Sequence, residues 1–137
     1  MQKEIENVNY YVLVGDENNW KKSLTKNFWG FTDKQKGLWE LLSVGDFLAF
    51  YVTLPTKRII GFGKVQKKFQ SNEPFWPLEL YTNNAIWKHR IKFDILFKVD
   101  KWDDGILVNK NIVLNSGRKK VSKNIFYNFV EEFKKRT

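Results

Sequence analysis

The sequence predicts an α+β fold: a curled, mostly antiparallel sheet with helices at its flank. Three observations carry that class. Its apolar segments run strand, two short helices, at least three strands and a last helix, an order that packs as one sheet braced by helices. With 137 residues, 42% apolar and 17% aromatic, the chain is long enough for one core and too apolar for disorder. No repeat, low-complexity tract or linker divides it, so a single domain over residues 1–137 is expected.

Each element has a local reason. Tyr10-Tyr11-Val12-Leu13-Val14 is a β-branched and aromatic run that reads as a buried strand ending at Gly15. Asn18 or Asn19 then caps a helix with Trp20, Leu24 and Phe28 at four-residue spacing. Gly30 interrupts that pattern, so residues 27–31 read as a break. Thr32-Asp33-Lys34-Gln35 is a capping box opening a second helix, with Leu38, Trp39, Leu41 and Leu42. After the Val44-Gly45-Asp46 turn, Phe47 to Val52 is apolar almost throughout, which suits a central strand.

A turn at residues 54–57 leads into a hairpin partner from Arg58 to Phe69. Gly61 and Gly63 share one face of it and leave a shallow trough. Residues 70–85, with two prolines and three asparagines, read as a loop. From Trp87 to Val99 the alternation is strong, with Trp87, His89, Ile91, Phe93, Ile95, Phe97 and Val99 on one face. Residues 100–121 are irregular, with short apolar pieces at 106–108 and 112–114. Ser122 caps a final helix whose Ile125, Phe126, Phe129, Val130 and Phe133 form an apolar stripe.

Composition removes whole classes of function. There is no cysteine, hence no disulfide, thiolate catalysis or Cys-type zinc site. The single histidine, His89, lies on the apolar face of its strand and reads as structural. Adjacent acidic pairs (Asp103-Asp104, Glu131-Glu132) point apart, and Gly61-Phe62-Gly63 lacks a third glycine. No catalytic residue, metal or cofactor is therefore expected. No apolar run approaches the 18 residues of a membrane span, and the acidic start does not resemble a signal peptide, so a cytoplasmic, monomeric domain is expected. Charge is uneven: residues 1–56 carry −1 and residues 57–137 carry +10 of the net +9. A basic half beside a neutral one suggests a polyanion-facing surface, against the plain alternative of solvated lysines.

Six tryptophans are more than a small core needs. Trp29 and Trp76 fall where regular structure breaks, before Gly30 and Pro77, and either present flat faces to a ligand or plug the ends of the sheet. Trp39 and Trp87 sit on regular apolar faces and read as core.

Together these segments resemble a family. Asn7 to Gly15, Glu17-Asn18-Asn19-Trp20, Phe28-Trp29-Gly30-Phe31, Val44 to Val52, Ile60-Gly61-Phe62-Gly63-Lys64-Val65, Phe75-Trp76-Pro77 and Trp87 to Phe93 resemble, in order, an EVE domain. EVE domains belong to the PUA-like superfamily, with the YTH and ASCH domains. The resemblance covers residues 9 to about 99. It implies a barrel-like sheet and a non-catalytic reader of RNA or DNA that inserts a modified base, of methylated adenine or cytosine type, into an aromatic pocket. By that resemblance Trp29 and Trp76 supply the cage, Asn18 and Asn19 read the base edge with backbone near Gly30, and Trp20 is wall or core.

Physical reasoning agrees. A pair of tryptophans can sandwich a flipped base, with stacking worth ~1–3 kcal/mol. A buried methyl adds roughly 0.8 kcal/mol, only about fourfold, so discrimination also needs hydrogen bonds to the base edge. The candidate phosphate ligands are Lys57, Arg58, Lys64, Lys67, Lys68, Lys88, Arg90, Arg118, Lys119 and Lys120. Two alternatives are an ASCH-like hydrolase or nucleotide-processing enzyme, and a protein-interaction domain with an aromatic peptide groove.

Overall fold

The structure is a computed structural model that describes residues 8–53, 55–108 and 117–136. In chain order it runs β1 (Tyr10–Gly15), α1 (Glu17–Lys26), β2 (Phe28–Phe31), a 3-10 turn (Asp33–Gln35), α2 (Lys36–Leu41) and β3 (Phe47–Val52). There follow β4 (Arg58–Gln70), α3 (Pro77–Thr82), β5 (His89–Lys98), a 3-10 turn (Trp102–Asp104), β6 (Ile106–Leu107), β7 (Gly117–Val121) and α4 (Lys123–Arg136).

The strands form one sheet in the order β2-β5-β4-β3-β1-β7, and β6 pairs with the start of β4. Among the described strands β1 and β3 alone run parallel, Tyr10 opposite Phe47 and Gly15 opposite Val52; the remaining pairs are antiparallel. A parallel pair needs a long crossover, and α1, β2 and α2 supply it. Register shifts at Phe50/Tyr51, Phe62/Gly63 and Val65/Lys67 mark irregularities that bend long strands and increase twist. The result is a curled half-barrel with flanking helices.

Both faces of the central strands are covered by aromatic side chains. On one face Phe50 and Phe93 pack at 4.8 Å with Trp20 of α1 over them, 5.0 Å from Phe50. On the other, Phe126 and Phe133 of α4 meet the Phe62 ring edge-on at 5.4 and 5.2 Å. Phe126, Phe129 and Phe133 are all buried, as the stripe in the sequence predicts, and Ser122 Oγ accepts from Ile125 N–H at 3.1 Å to start the helix. Asp46, buried in its turn, accepts from Asn9 N–H and Ser43 N–H and ties the start of β1 to the end of α2.

Several local expectations are corrected. Asp16, not Asn18 or Asn19, caps α1; its Oδ1 accepts from Asn19 N–H at 2.7 Å, so both asparagines lie in the first turn. The helix stops at Asn27, which is left-handed (φ 62°), so Phe28 belongs to a strand. Residues 28–31 are that strand, β2, paired with residues 89–92 of β5. The segment 70–85 contains α3, with Pro77 at the first helical position, where its missing N–H costs nothing. Gly61 and Gly63 are no trough for a ligand. A Cβ on Gly63 would lie 2.6 Å from the Phe50 ring, and one on Gly61 2.5 Å from the Phe97 carbonyl. Phe97, expected inside, is about half exposed. The apolar piece at 112–114 lies outside the described residues.

Candidate nucleic-acid interface

The C-terminal end of β1 opens into a cavity of about 400 Å³, within the range of ligand pockets. Its floor and sides come from Val14, Gly15 and Asp16 of the β1–α1 junction, Trp29 and Gly30 of β2, and Trp87 just before β5. Asn19, Thr32, Gln35 and Thr53 add polar groups. Among the described residues lining it, Asp16 alone is ionisable. A phosphate would meet a carboxylate and, among the described lining residues, no cation; a neutral planar group with a donor edge would meet two indoles, that carboxylate and amides.

Trp29 is both wall and core. It is 5% exposed, and its ring stacks on Trp20 at 4.2 Å and 24°. The ring lies over Gly15, where a Cβ would come within 2.2 Å of it, so only glycine fits at that end of β1. Its Nε1 is buried with no hydrogen-bond partner among the described residues, an omission that costs about 1–3 kcal/mol. The neighbouring indoles are satisfied. Trp20 Nε1 donates to the Tyr51 carbonyl (2.8 Å), Trp39 Nε1 to the Arg90 carbonyl (2.9 Å) and Trp76 Nε1 to Ser23 Oγ (2.8 Å).

Trp76 does not line the cavity. It is 2% exposed at the start of α3, tied to Ser23 of α1, with the Arg90 guanidinium 5.0 Å above its ring. Its ring passes behind Gly30: a Cβ there would lie 2.7 Å from Trp76 and 2.6 Å from Trp87 Cβ. The space Gly30 leaves is thus filled by these tryptophans rather than kept for a ligand. Trp29 and Trp76 therefore do not flank one cavity as expected; the tryptophans lining it are Trp29 and Trp87. Trp20 is wholly buried beneath Trp29 and belongs to the core, and Asn18 is outside the lining while Asn19 is part of it.

Trp87 is held by a residue that no sequence pattern singles out. Glu79 of α3 is wholly buried, and its carboxylate accepts from four backbone N–H groups. Oε1 takes Phe75 (2.9 Å) and Trp76 (3.2 Å); Oε2 takes Ile86 (2.7 Å) and Trp87 (2.9 Å). Arg90 completes the knot, with Nη2 3.3 Å from Oε1 and Nε donating to the Trp87 carbonyl at 2.9 Å. Burial pulls the Arg90 guanidinium below its ordinary value, against the opposing pull of Glu79 and Glu73. The signal for Glu79 is thin: one acid after Trp-Pro, at the position where a helix's first turn favours it.

The candidate phosphate ligands divide. Lys57, Lys64, Lys67, Lys119 and Lys120 are exposed. Lys88 is partly exposed, 4.0 Å from Asp33. Arg90 is buried and committed to Glu79, which removes it from the set. Arg58 donates to the Gly105 carbonyl (2.9 Å), and Lys68 donates to the Leu42 carbonyl (2.8 Å) at the end of α2. The side chain of Arg118 lies outside the described residues. His89 is structural, with Nε2 2.9 Å from Asp33 and Nδ1 3.0 Å from Gln70. Among the described residues no helix is long and apolar enough to cross a membrane.

Neither a protein-family model nor a curated protein matches the sequence. Solved structures do match the fold. The YTH domain of the Zygosaccharomyces rouxii MRB1 protein, crystallised with N6-methyladenosine RNA, has a TM-score of 0.61 at 17% identity, covering 94% of this chain and 88% of its own. ASCH from Zymomonas mobilis has a TM-score of 0.58 at 14% identity, covering 90% and 94%. A hypothetical protein from Leishmania major has 0.62 at 12%, covering 96% and 98%. The chain has the PUA-like fold, related by structure to the YTH and ASCH domains.

Proposed function

We propose that this chain is a non-catalytic reader of single-stranded nucleic acid, of the EVE type, that takes one methylated adenine or cytosine into the cavity beside Trp29 and Trp87. The observation that carries the reading is the cavity itself: among its described lining residues are two indoles and a single acid, with no cation, in a chain of net charge +9. Such a lining accepts a neutral base and repels phosphate, which falls to the exposed lysines outside. Stacking supplies ~1–3 kcal/mol. Asp16 keeps a second acceptor oxygen for an exocyclic amine, which adenine and cytosine both carry and guanine and thymine do not present in the same place. An N6-methylated adenine retains one such N–H. The likeness to a YTH domain crystallised with N6-methyladenosine RNA supports the same ligand class.

Trp87→Ala is the test, because Trp87 lines the cavity and is only partly buried, whereas Trp29 also carries core packing. Anisotropy titrations use single-stranded oligonucleotides with one N6-methyladenine, one 5-methylcytosine or neither. The expected result is preference for a methylated strand, and a loss of ~1–3 kcal/mol on Trp87→Ala with the thermal midpoint nearly unchanged. Wild-type affinity in the variant would overturn the cavity as the base site. Equal binding of all strands would remove the methyl from the reading.

A further inference from the structure

The cavity lies at the Gly15 end of β1. At the Tyr10 end, about 17 Å away at ~3.3 Å per residue, lies an open groove of about 520 Å³ walled by Tyr10, Phe47 and Tyr127 with Val44. The parallel register of β1 and β3 sets Tyr10 beside Phe47, their rings 5.5 Å apart and 12° from parallel. Tyr127 of α4 meets Tyr10 edge-on at 5.9 Å and remains 48% exposed. Burial, and then the neighbouring Tyr127 hydroxyl, pushes the pKa of the Tyr10 hydroxyl up to about 12.

Cations ring these aromatics. Lys64 Nζ stands 5.9 Å from the Phe47 centroid and Lys123 Nζ 5.4 Å from that of Tyr127. A neighbouring depression of about 260 Å³ shares Val8 and Tyr10 with the groove and adds Asn9, Lys120 and Lys123. Among the described residues no acidic side chain lines either hollow.

We propose that this groove is a second contact for single-stranded nucleic acid, a stacking platform for an unpaired base with Lys64, Lys120 and Lys123 on the flanking phosphates. The proposal rests on the reading of the chain as a nucleic-acid binder but uses none of the residues of the cavity. Flat rings beside cations, without acids, match alternating bases and phosphates, and stacking of this kind is tolerant of sequence. The cavity would then choose the base and the groove would hold a neighbouring stretch of strand, raising affinity through a linked second contact.

The test compares Tyr127→Ala, Lys64→Glu/Lys123→Glu and Trp87→Ala on a fluorescent 15-nucleotide single strand, with light scattering for oligomeric state. Tyr127→Ala is expected to weaken binding about fivefold or more at an unchanged thermal midpoint, while Tyr127→Phe retains affinity. The double lysine variant is expected to lower the slope of log affinity against log salt by roughly 0.7 for each phosphate it no longer neutralises. It also decides the matter should Tyr127→Ala fail to fold. Wild-type affinity and slope in these variants would overturn the groove, whatever Trp87→Ala does. Weakening by Tyr127→Ala with none by Trp87→Ala would keep the groove and overturn the cavity. A dimer that Tyr127→Ala dissolves would give the face to a second copy of the chain and overturn the proposal.

Discussion

The two faces of the central strands are packed with different aromatics, and the difference separates rings held by packing alone from rings that must also satisfy an N–H. The α4 face centres on a phenylalanine cluster: Phe62, Phe126, Phe129 and Phe133 are buried together, Phe126 and Phe133 edge-on to Phe62, and these four have no polar atom to satisfy, with Tyr10 joining at the edge against Phe126. The α1 face and its margin add tryptophans to their phenylalanines, Trp20 lying over Phe50 and Phe93. Every indole there brings an N–H that needs an acceptor. Trp20, Trp39 and Trp76 have one each; Trp29, at the cavity, has none among the described residues. The phenylalanine cluster is held by packing alone, whereas the indoles are also pinned by addressed hydrogen bonds.

The sharpest way to break that contrast is to remove the pin under Trp87. Glu79→Gln is expected to cost about 3–5 kcal/mol, since it takes the counter-charge from buried Arg90 and sets an amide N–H₂ among four donors. Denaturant unfolding reads the loss. Titration of the variant while it is still folded is expected to show weaker oligonucleotide binding, because the backbone of Trp87 has lost its anchor. Stability within about 1 kcal/mol of wild type would mean the carboxylate is dispensable and the tryptophan layer is held by packing alone.

The matching change on the other face is Phe129→Ala. A Phe→Ala cavity costs about 3–5 kcal/mol, and the low end is expected because Phe129 is 9% exposed at the edge of its stripe. The folded fraction is expected to bind as wild type does. A weaker complex at full folding would show that Phe129 itself helps to position the binding surface, a role the Tyr127 groove asks only of the neighbouring face of α4.

What can be read from the sequence follows the same divide. The α4 stripe and the apolar run of β3 are legible because their periods repeat over several turns or residues. The fold class follows from their order. The cavity is not legible in detail. Strand β2 has four residues, too few to show alternation, so Trp29 resembles part of a break. Trp87 shares the parity of the buried face of β5, yet the strand begins at His89, and Trp87 lies in the approach held by Glu79. Arg90 resembles a free cation, since its partner lies eleven residues back in a segment rich in Pro and Asn that reads as loop. Long-range buried charge pairs leave no periodic trace. Trp76 stands out in the sequence but not its true neighbour, because a tryptophan beside a proline fits a helix start as well as a ligand wall.

The smallest effect, and the one that separates choice from attraction, concerns the lysines beside the cavity. Lys57 is exposed, with its backbone N–H bonded to the carbonyl of Thr53, a lining residue; Lys88 directly follows Trp87. Lys57→Glu with Lys88→Glu is expected to weaken methylated and unmethylated strands alike, because phosphate contacts carry no base information. The salt slope is expected to fall by about 0.7 for each phosphate that these lysines neutralise. Stability should barely change, since the Lys88–Asp33 pair is a surface contact at 4.0 Å, a class worth about 0–1 kcal/mol. An unchanged slope would place the phosphates away from this rim and leave the groove lysines as their partners. A change confined to the methylated strand would instead put a lysine inside the reading of the base, against a described lining whose only ionisable group is Asp16.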